Sequence, residues 1–80
     1  MTKADLPSKL HQILITLNGE STIIRVCKAF WEEYENELRN SEDLFYTWQY
    51  DIRWAATKLR KSSIMINAET SPFGIWQLSK

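Results

Sequence analysis

Side chains that can form paired hydrogen bonds with a base edge are concentrated in the second half of this 80-residue sequence. Gln49 and Arg53 carry amide and guanidinium groups, which can make two hydrogen bonds at once in the major groove of DNA. Thr57 and the nearby tyrosines suit contacts with phosphates or thymine methyl groups. At 100° per residue, these side chains share one side of a helix. The candidate DNA-binding residues are Tyr46, Gln49, Tyr50, Arg53, Thr57 and Arg60, followed by Lys61.

Charge is distributed unevenly around this candidate site. Residues 53–65 include four basic side chains and no acidic one, whereas carboxylates cluster within residues 32–43. DNA phosphates would be attracted to the first segment and repelled by the second. The expected roles are base contact for Gln49, Arg53 and Thr57, and phosphate contact for Arg60 and Lys61.

The whole chain is electrically neutral, with ten basic and ten acidic side chains. Stand-alone nucleic-acid binders usually carry a basic excess, which releases counterions from the phosphate backbone. Neutrality therefore favours a second interpretation, a protein-interaction adaptor or homo-oligomerisation module. Its contact surface would be the acidic helix over residues 22–38 or the aromatic face of the helix over residues 44–61. A third interpretation is that the acidic face mimics DNA and inhibits a nuclease.

The sequence carries no recognisable catalytic pattern. Catalysis would require a nucleophile beside a base, paired carboxylates in a cleft, or a cage of metal ligands. We therefore predict a non-enzyme without catalytic residues, metal or cofactor. A lone cysteine, Cys27, precludes an internal disulfide and favours a reducing, cytoplasmic compartment. No run of about 18 apolar residues occurs, so a membrane partner is not expected.

Apolar residues at helical spacing predict three helices. The first begins near Pro7 and stops at Asn18-Gly19, because proline fits a first turn and glycine a terminus. Ser21 or Thr22 is expected to cap the second helix. The predicted buried stripes are Leu10, Ile13, Leu14 and Leu17 in the first helix, Ile23, Cys27, Phe30, Trp31, Tyr34 and Leu38 in the second, and Leu44, Trp48, Ile52, Ala55 and Leu59 in the third.

The third helix and the strands after it define the predicted fold. Asn40–Asp43 resembles a capping box, so the helix is expected to start there and to run to about Lys61. Residues 64–66 and 73–78 read as strands around the turn Asn67–Pro72. A helix followed by two such strands is the closing half of a winged helix. We predict one mainly α domain of the α+β class over residues 1–80, with three helices followed by a two-stranded antiparallel hairpin.

The tip of the predicted hairpin lacks the charge that favours DNA contact. Asn67–Pro72 contains neither lysine nor arginine, whereas insertion into a minor groove favours arginine. Glu69 would be repelled by phosphates. We therefore expect this hairpin to have a structural role.

Two motifs give the sequence a family resemblance. Trp54-Ala55 precedes Leu59-Arg60-Lys61, and a Gly-apolar-aromatic-x-apolar-Ser strand follows at residues 74–79. This arrangement resembles the N-terminal winged-helix domain of Mrr-type restriction proteins. The resemblance implies a prokaryotic or phage DNA-targeting module that acts with a nuclease or another protein subunit. The sequence departs from the family pattern at Ser63, where a turn glycine is frequent, and at Asp51, where a basic residue is frequent.

Overall fold

The computed structural model describes residues 1–79, which form a mainly helical α+β fold. A short 3₁₀ turn at Lys3–Asp5 precedes three α-helices and two strands. In chain order these elements are α1 (Leu6–Thr16), β1 (Glu20–Thr22), α2 (Ile23–Arg39), α3 (Asp43–Lys61) and β2 (Ile75–Gln77).

The start and stop of α1 confirm the sequence prediction. Pro7 lies in the first turn, where its missing N–H costs no helical hydrogen bond. After the helix, Asn18 and Gly19 have positive φ angles, of 65° and 92° respectively. The Gly19 N–H donates to the carbonyl oxygen of Leu14 at 2.8 Å, which satisfies a group left free at the helix end.

The predicted pairing of the strands is wrong in one respect. The partner of β2 is β1, in an antiparallel register that places Ser21 opposite Trp76. Residues 64–66 contribute only an isolated bridge between Met65 and Leu78. Residues 18–19 lead from α1 into β1, so β2 has its partner near the start of the chain. The two strands of the sheet are therefore far apart in the sequence and do not form a hairpin.

The N-termini of α2 and α3 are capped differently. The Thr22 hydroxyl accepts a hydrogen bond from the Arg25 N–H at 3.2 Å, so Thr22 caps α2 as predicted. The expected capping box at residues 40–43 is absent from the described structure, because α3 starts after Glu42 without a side-chain cap. Asn40 and Ser41 instead bond back to carbonyl groups in the last turn of α2. These polar residues terminate one helix and do not begin the next.

The core lies between the three helices and the sheet. All five residues of the predicted α3 stripe are buried. In α2 the buried side is centred on Val26 and Phe30, while Cys27 and Trp31 are only partly buried. A local break at Tyr34, with φ −115° and ψ 18°, interrupts that helix before Leu38. Within residues 1–79, no helix combines the length and apolar character needed to cross a bilayer.

Candidate nucleic-acid interface

The polar face of α3 points away from the core, as predicted. The side chains of Tyr46 and Tyr50 are 83% and 78% exposed. Gln49, Arg53 and Thr57 are exposed as well, and so is Lys61 at the last turn. The Thr57 hydroxyl donates to the carbonyl oxygen of Arg53 at 3.2 Å, which leaves the lone pairs of its oxygen as acceptors.

Arg60 differs from the other predicted site residues because it is partly buried. Its Nε–H donates to the carbonyl oxygen of Ile66 at 3.3 Å. This bond ties the last turn of α3 to the segment that leads into the loop of residues 67–74. The remaining guanidinium N–H groups stay available to an anion, since arginine has five donors in all.

A cavity of about 280 Å³, named here the cleft, lies between α3 and the loop of residues 67–74, and three of the predicted residues line it. Within residues 1–79, none of the side chains that line the cleft is a carboxylate. Its cationic side is formed by α3, and its other side by the loop. The lining includes Arg53, Thr57 and Arg60 from α3 and Ala68, Ser71, Pro72, Phe73 and Gly74 from the loop.

Hydrogen bonds within and beside the loop hold it in place. The backbone N–H groups of Thr70 and Ser71 both donate to the carbonyl oxygen of Asn67, at 3.0 and 3.1 Å. At the other end, the carbonyl oxygen of Gly74 accepts from the N–H of Ile23, the first residue of α2, at 3.0 Å. Gly74 has a φ of 76°, a backbone conformation that residues other than glycine rarely adopt.

Phe73 projects from this anchored loop with a relative exposure of 105%. Sequence reasoning missed this residue, because it placed Phe73 at the start of a strand. The available signal was the neighbouring pair Pro72 and Gly74, since both residues favour turns and leave an intervening side chain outside the ladder. The loop therefore presents an exposed aromatic ring and no cationic side chain.

A second concavity, named here the groove, runs between α2 and α3 and has a volume of about 610 Å³. Six of its lining side chains are apolar or a thiol, and three are cationic or amide groups. The lining residues are Ile23, Ile24, Cys27, Lys28, Trp31, Phe45, Trp48, Gln49 and Arg53. Arg53 is thus shared between the groove and the cleft. Tyr46, Tyr50 and Lys61 line neither of them.

The thiol of Cys27 titrates in an unusual environment inside the groove. Burial raises its pKa above the ordinary value, and the positive charge of Arg53 opposes that rise. A neutral thiol is a weak nucleophile. Cys27 therefore contributes an apolar surface to the groove at neutral pH.

Asp51 is an acidic residue that the sequence pattern did not mark as buried, yet its relative exposure is 9%. Its carboxylate accepts a hydrogen bond from the Thr47 hydroxyl at 2.8 Å. The ammonium group of Lys3 lies 3.9 Å away and also sits over the Trp54 ring, 4.7 Å from its centroid. Asp51 therefore joins the N-terminal turn to α3 on a side of the helix away from the predicted DNA contacts.

The acidic side of α2 lies outside both concavities described above. Glu32, Glu33 and Glu37 are exposed, and Glu35 pairs with Arg39 at 2.8 Å. The negative charges of α2 and the positive charges of α3 therefore occupy different parts of the surface.

No family model, curated protein or solved structure matches this chain.

Proposed function

We propose that this chain is a non-catalytic winged-helix domain that binds double-stranded DNA through α3. One observation carries the proposal. Arg53, Thr57 and Arg60 share a carboxylate-free cleft with the loop of residues 67–74, within the part of the chain described. A helix and an adjacent loop that present donors and positive charge together can contact a groove and its flanking phosphates.

The order of the elements supports a winged-helix fold. A strand lies between the first two helices, and it pairs with a strand that follows the third helix. In a winged helix this arrangement places the third helix beside a loop, the wing. Here the wing is the loop of residues 67–74.

Base and phosphate contacts are assigned by position along α3. Gln49, Arg53 and Thr57 face the major groove, where amide and guanidinium groups can read base edges. Arg60 and Lys61, in the last turn, hold phosphates. The bond from Arg60 to Ile66 fixes its side chain, so less conformational entropy is lost when a phosphate binds.

The wing contacts the minor groove through an apolar side chain. Phe73 is fully exposed, follows Pro72 and lies at the rim of the cleft. Architectural DNA-binding proteins insert phenylalanine, leucine or proline between base steps. This mode of contact needs no arginine in the wing, and Glu69 can remain in solvent.

The resemblance to Mrr-type restriction proteins suggests the biological setting. In this proposal the domain directs a nuclease or another subunit to DNA in a prokaryotic or phage-infected cytoplasm. The chain itself contributes recognition and no chemistry. The presence of restriction or modification genes beside its coding gene would support this setting.

The direct test is an NMR titration of ¹⁵N-labelled protein with duplex DNA at low salt. Amide shifts confined to α3 and residues 67–74 are expected. Arg53→Ala should weaken these shifts, while Arg39→Ala, the matched change on α2, should leave them unaltered. An unchanged spectrum up to millimolar duplex would refute DNA binding.

A second candidate function is that of a protein-interaction adaptor or homo-oligomerisation module. The exposure of Tyr46 and Tyr50 favours it, because tyrosine is enriched at interfaces and two exposed rings one helical turn apart form a contact surface. Sedimentation analysis over a hundredfold range of concentration tests self-association. A monomer at every concentration, together with the DNA-induced shifts, would decide in favour of DNA binding.

A further inference from the structure

The groove between α2 and α3 combines an apolar floor with a cationic rim. Trp48 is only 5% exposed and Cys27 is partly buried, and both line the groove. Lys28 and Arg53 are exposed on opposite helices, and Gln49 supplies an amide. Among the described residues, the groove lining includes no carboxylate. An anion in the groove would therefore meet positive charge from two sides without repulsion from the lining.

Stacked aromatic rings form one wall of the groove. The rings of Trp31 and Trp48 are 6.0 Å apart and inclined by 12°, and Trp48 stacks in turn on Phe30 at 5.6 Å. Phe45 lies 6.3 Å from Trp31 and completes this wall. Because Arg39 lies over the Trp31 ring, 5.2 Å from its centroid, a planar aromatic ligand meets this wall through edge-on contacts.

We propose that the groove binds a small planar aromatic carboxylate. The apolar floor and the stacked rings account for the aromatic part of this ligand, and Lys28 with Arg53 accounts for its anionic group. The volume of about 610 Å³ falls within the usual range for small-molecule sites. Charge complementarity selects the carboxylate over a neutral or cationic aromatic compound of the same size.

Arg53 connects this ligand site to the cleft, because its side chain borders both. A carboxylate that pairs with the guanidinium in the groove withdraws it from DNA. The ligand therefore acts as a negative effector of DNA binding. This last step rests on the proposed function, whereas binding of the ligand itself does not.

The test uses 1-naphthoate as the probe and the uncharged 1-naphthylmethanol as its matched control. Binding to the full chain is followed through the indole N–H resonances of Trp31 and Trp48. A dissociation constant on the order of 0.1 to 1 mM is expected for naphthoate, with at least tenfold weaker binding of the alcohol. A second readout is alkylation of Cys27 by iodoacetamide, which bound naphthoate should slow.

Variants separate charge recognition from simple apolar binding. Lys28→Met and Arg53→Met should each weaken naphthoate roughly threefold to tenfold and leave binding of the alcohol unchanged. Arg25→Met, on an exposed cation of α2 outside the groove lining, should affect neither compound.

Three results would overturn the ligand site. The first is equal affinity for naphthoate and the alcohol. The second is the absence of indole shifts at 5 mM probe, which is about five times the weakest expected dissociation constant. The third is movement of the groove resonances when the protein alone is diluted. The last result would assign the groove to a second copy of the chain. Each can occur whether or not duplex DNA binds, so the ligand site and the DNA-binding proposal fail separately. Naphthoate that binds the groove but leaves DNA affinity unchanged would remove only the effector role.

Discussion

The Nε of Arg60 lies 3.3 Å from the carbonyl oxygen of Ile66 and donates a hydrogen bond to it. This contact joins the end of α3 to the segment that precedes the wing, so a single side chain helps to set the spacing between the two parts of the proposed interface. The same side chain also lines the cleft. Its removal therefore has a structural consequence as well as an electrostatic one.

Arg60→Ala is expected to lower affinity for all duplex sequences alike, because a phosphate contact carries no sequence information. Loss of the bond to Ile66 should also lower the free energy of unfolding by about 0.5 to 1.5 kcal/mol. Fluorescence anisotropy at several salt concentrations should give a slope reduced by about 1. Arg60→Lys keeps the charge, so it should preserve most of the salt dependence. A purely sequence-selective loss would contradict the assigned role.

Arg53→Ala should act on sequence preference. A bidentate contact with a base contributes about 1 to 3 kcal/mol of discrimination, so the loss should be largest for the preferred duplex. That duplex is first obtained by selection from a random pool with the unaltered protein. Affinities of the variant are then compared for the selected and a scrambled duplex. Equal losses on the two duplexes would show that Arg53 does not read bases.

Phe73→Ala should weaken DNA binding without lowering the melting temperature. The ring is fully exposed, so its removal takes no contact from the core. Phe73→Leu should retain most of the affinity, because leucine also serves as an apolar wedge. Bending of a duplex labelled at both ends for energy transfer provides the measurement. Unchanged affinity and bending in the alanine variant would leave the wing with only a structural role.

Asp51→Ala is expected to destabilise the fold by about 1 to 2 kcal/mol, because it removes the acceptor for the Thr47 hydroxyl in a nearly buried site. Lys3→Ala should cost less than about 1 kcal/mol, since the ammonium group is 3.9 Å away and its side chain is half exposed. Urea unfolding monitored by tryptophan fluorescence measures both. The exposed Glu32→Ala serves as the control. A larger effect at Lys3 than at Asp51 would mean that the contact of Lys3 with the Trp54 ring outweighs the two contacts of Asp51.

The pH dependence of Cys27 alkylation tests the environment of the groove. Burial raises the thiol pKa in the folded protein, so iodoacetamide should react with a midpoint at higher pH than in urea. Because the thiol pKa of the folded protein lies above that of the unfolded chain, the neutral thiol contributes to the free energy of unfolding, and this contribution is fully present below the unfolded pKa. It is lost as the pH rises through the folded pKa.

Arg53→Met provides the control for this titration. The positive charge of Arg53 lowers the thiol pKa. The variant removes that charge, so the midpoint of alkylation should move to still higher pH. A midpoint that is the same in the folded protein, the variant and urea would place Cys27 in ordinary solvent.

The parts of the fold that follow from local patterns were predictable. The α3 stripe from Leu44 to Leu59 repeats at helical spacing, and burial of the whole stripe confirms that prediction. Thr22 as a cap and Gly19 as a stop also depend on neighbouring residues alone. Short-range geometry determines these features, so the sequence around them is sufficient.

Features that depend on distant contacts were not predictable in the same way. Glu20, Ser21 and Thr22 carry no clear strand pattern, and their conformation depends on pairing with β2. Asp51 is buried because Lys3 and the N-terminal turn pack against α3. The position of Arg60 likewise depends on Ile66 and the path of the chain after the helix. No periodicity along the sequence encodes these tertiary relationships.

The pairing of β1 with β2 has a consequence for synthesis on the ribosome. Residues 20–22 leave the exit tunnel well before their partners at residues 75–77, and until then the polar backbone groups of the early strand face solvent or other nascent chains. Closure of so long a loop is entropically costly and must wait for translation of the late segment. The polypeptide therefore completes its native architecture only after residue 78 has emerged, and stalled translation before that point leaves an incomplete sheet open to non-native association.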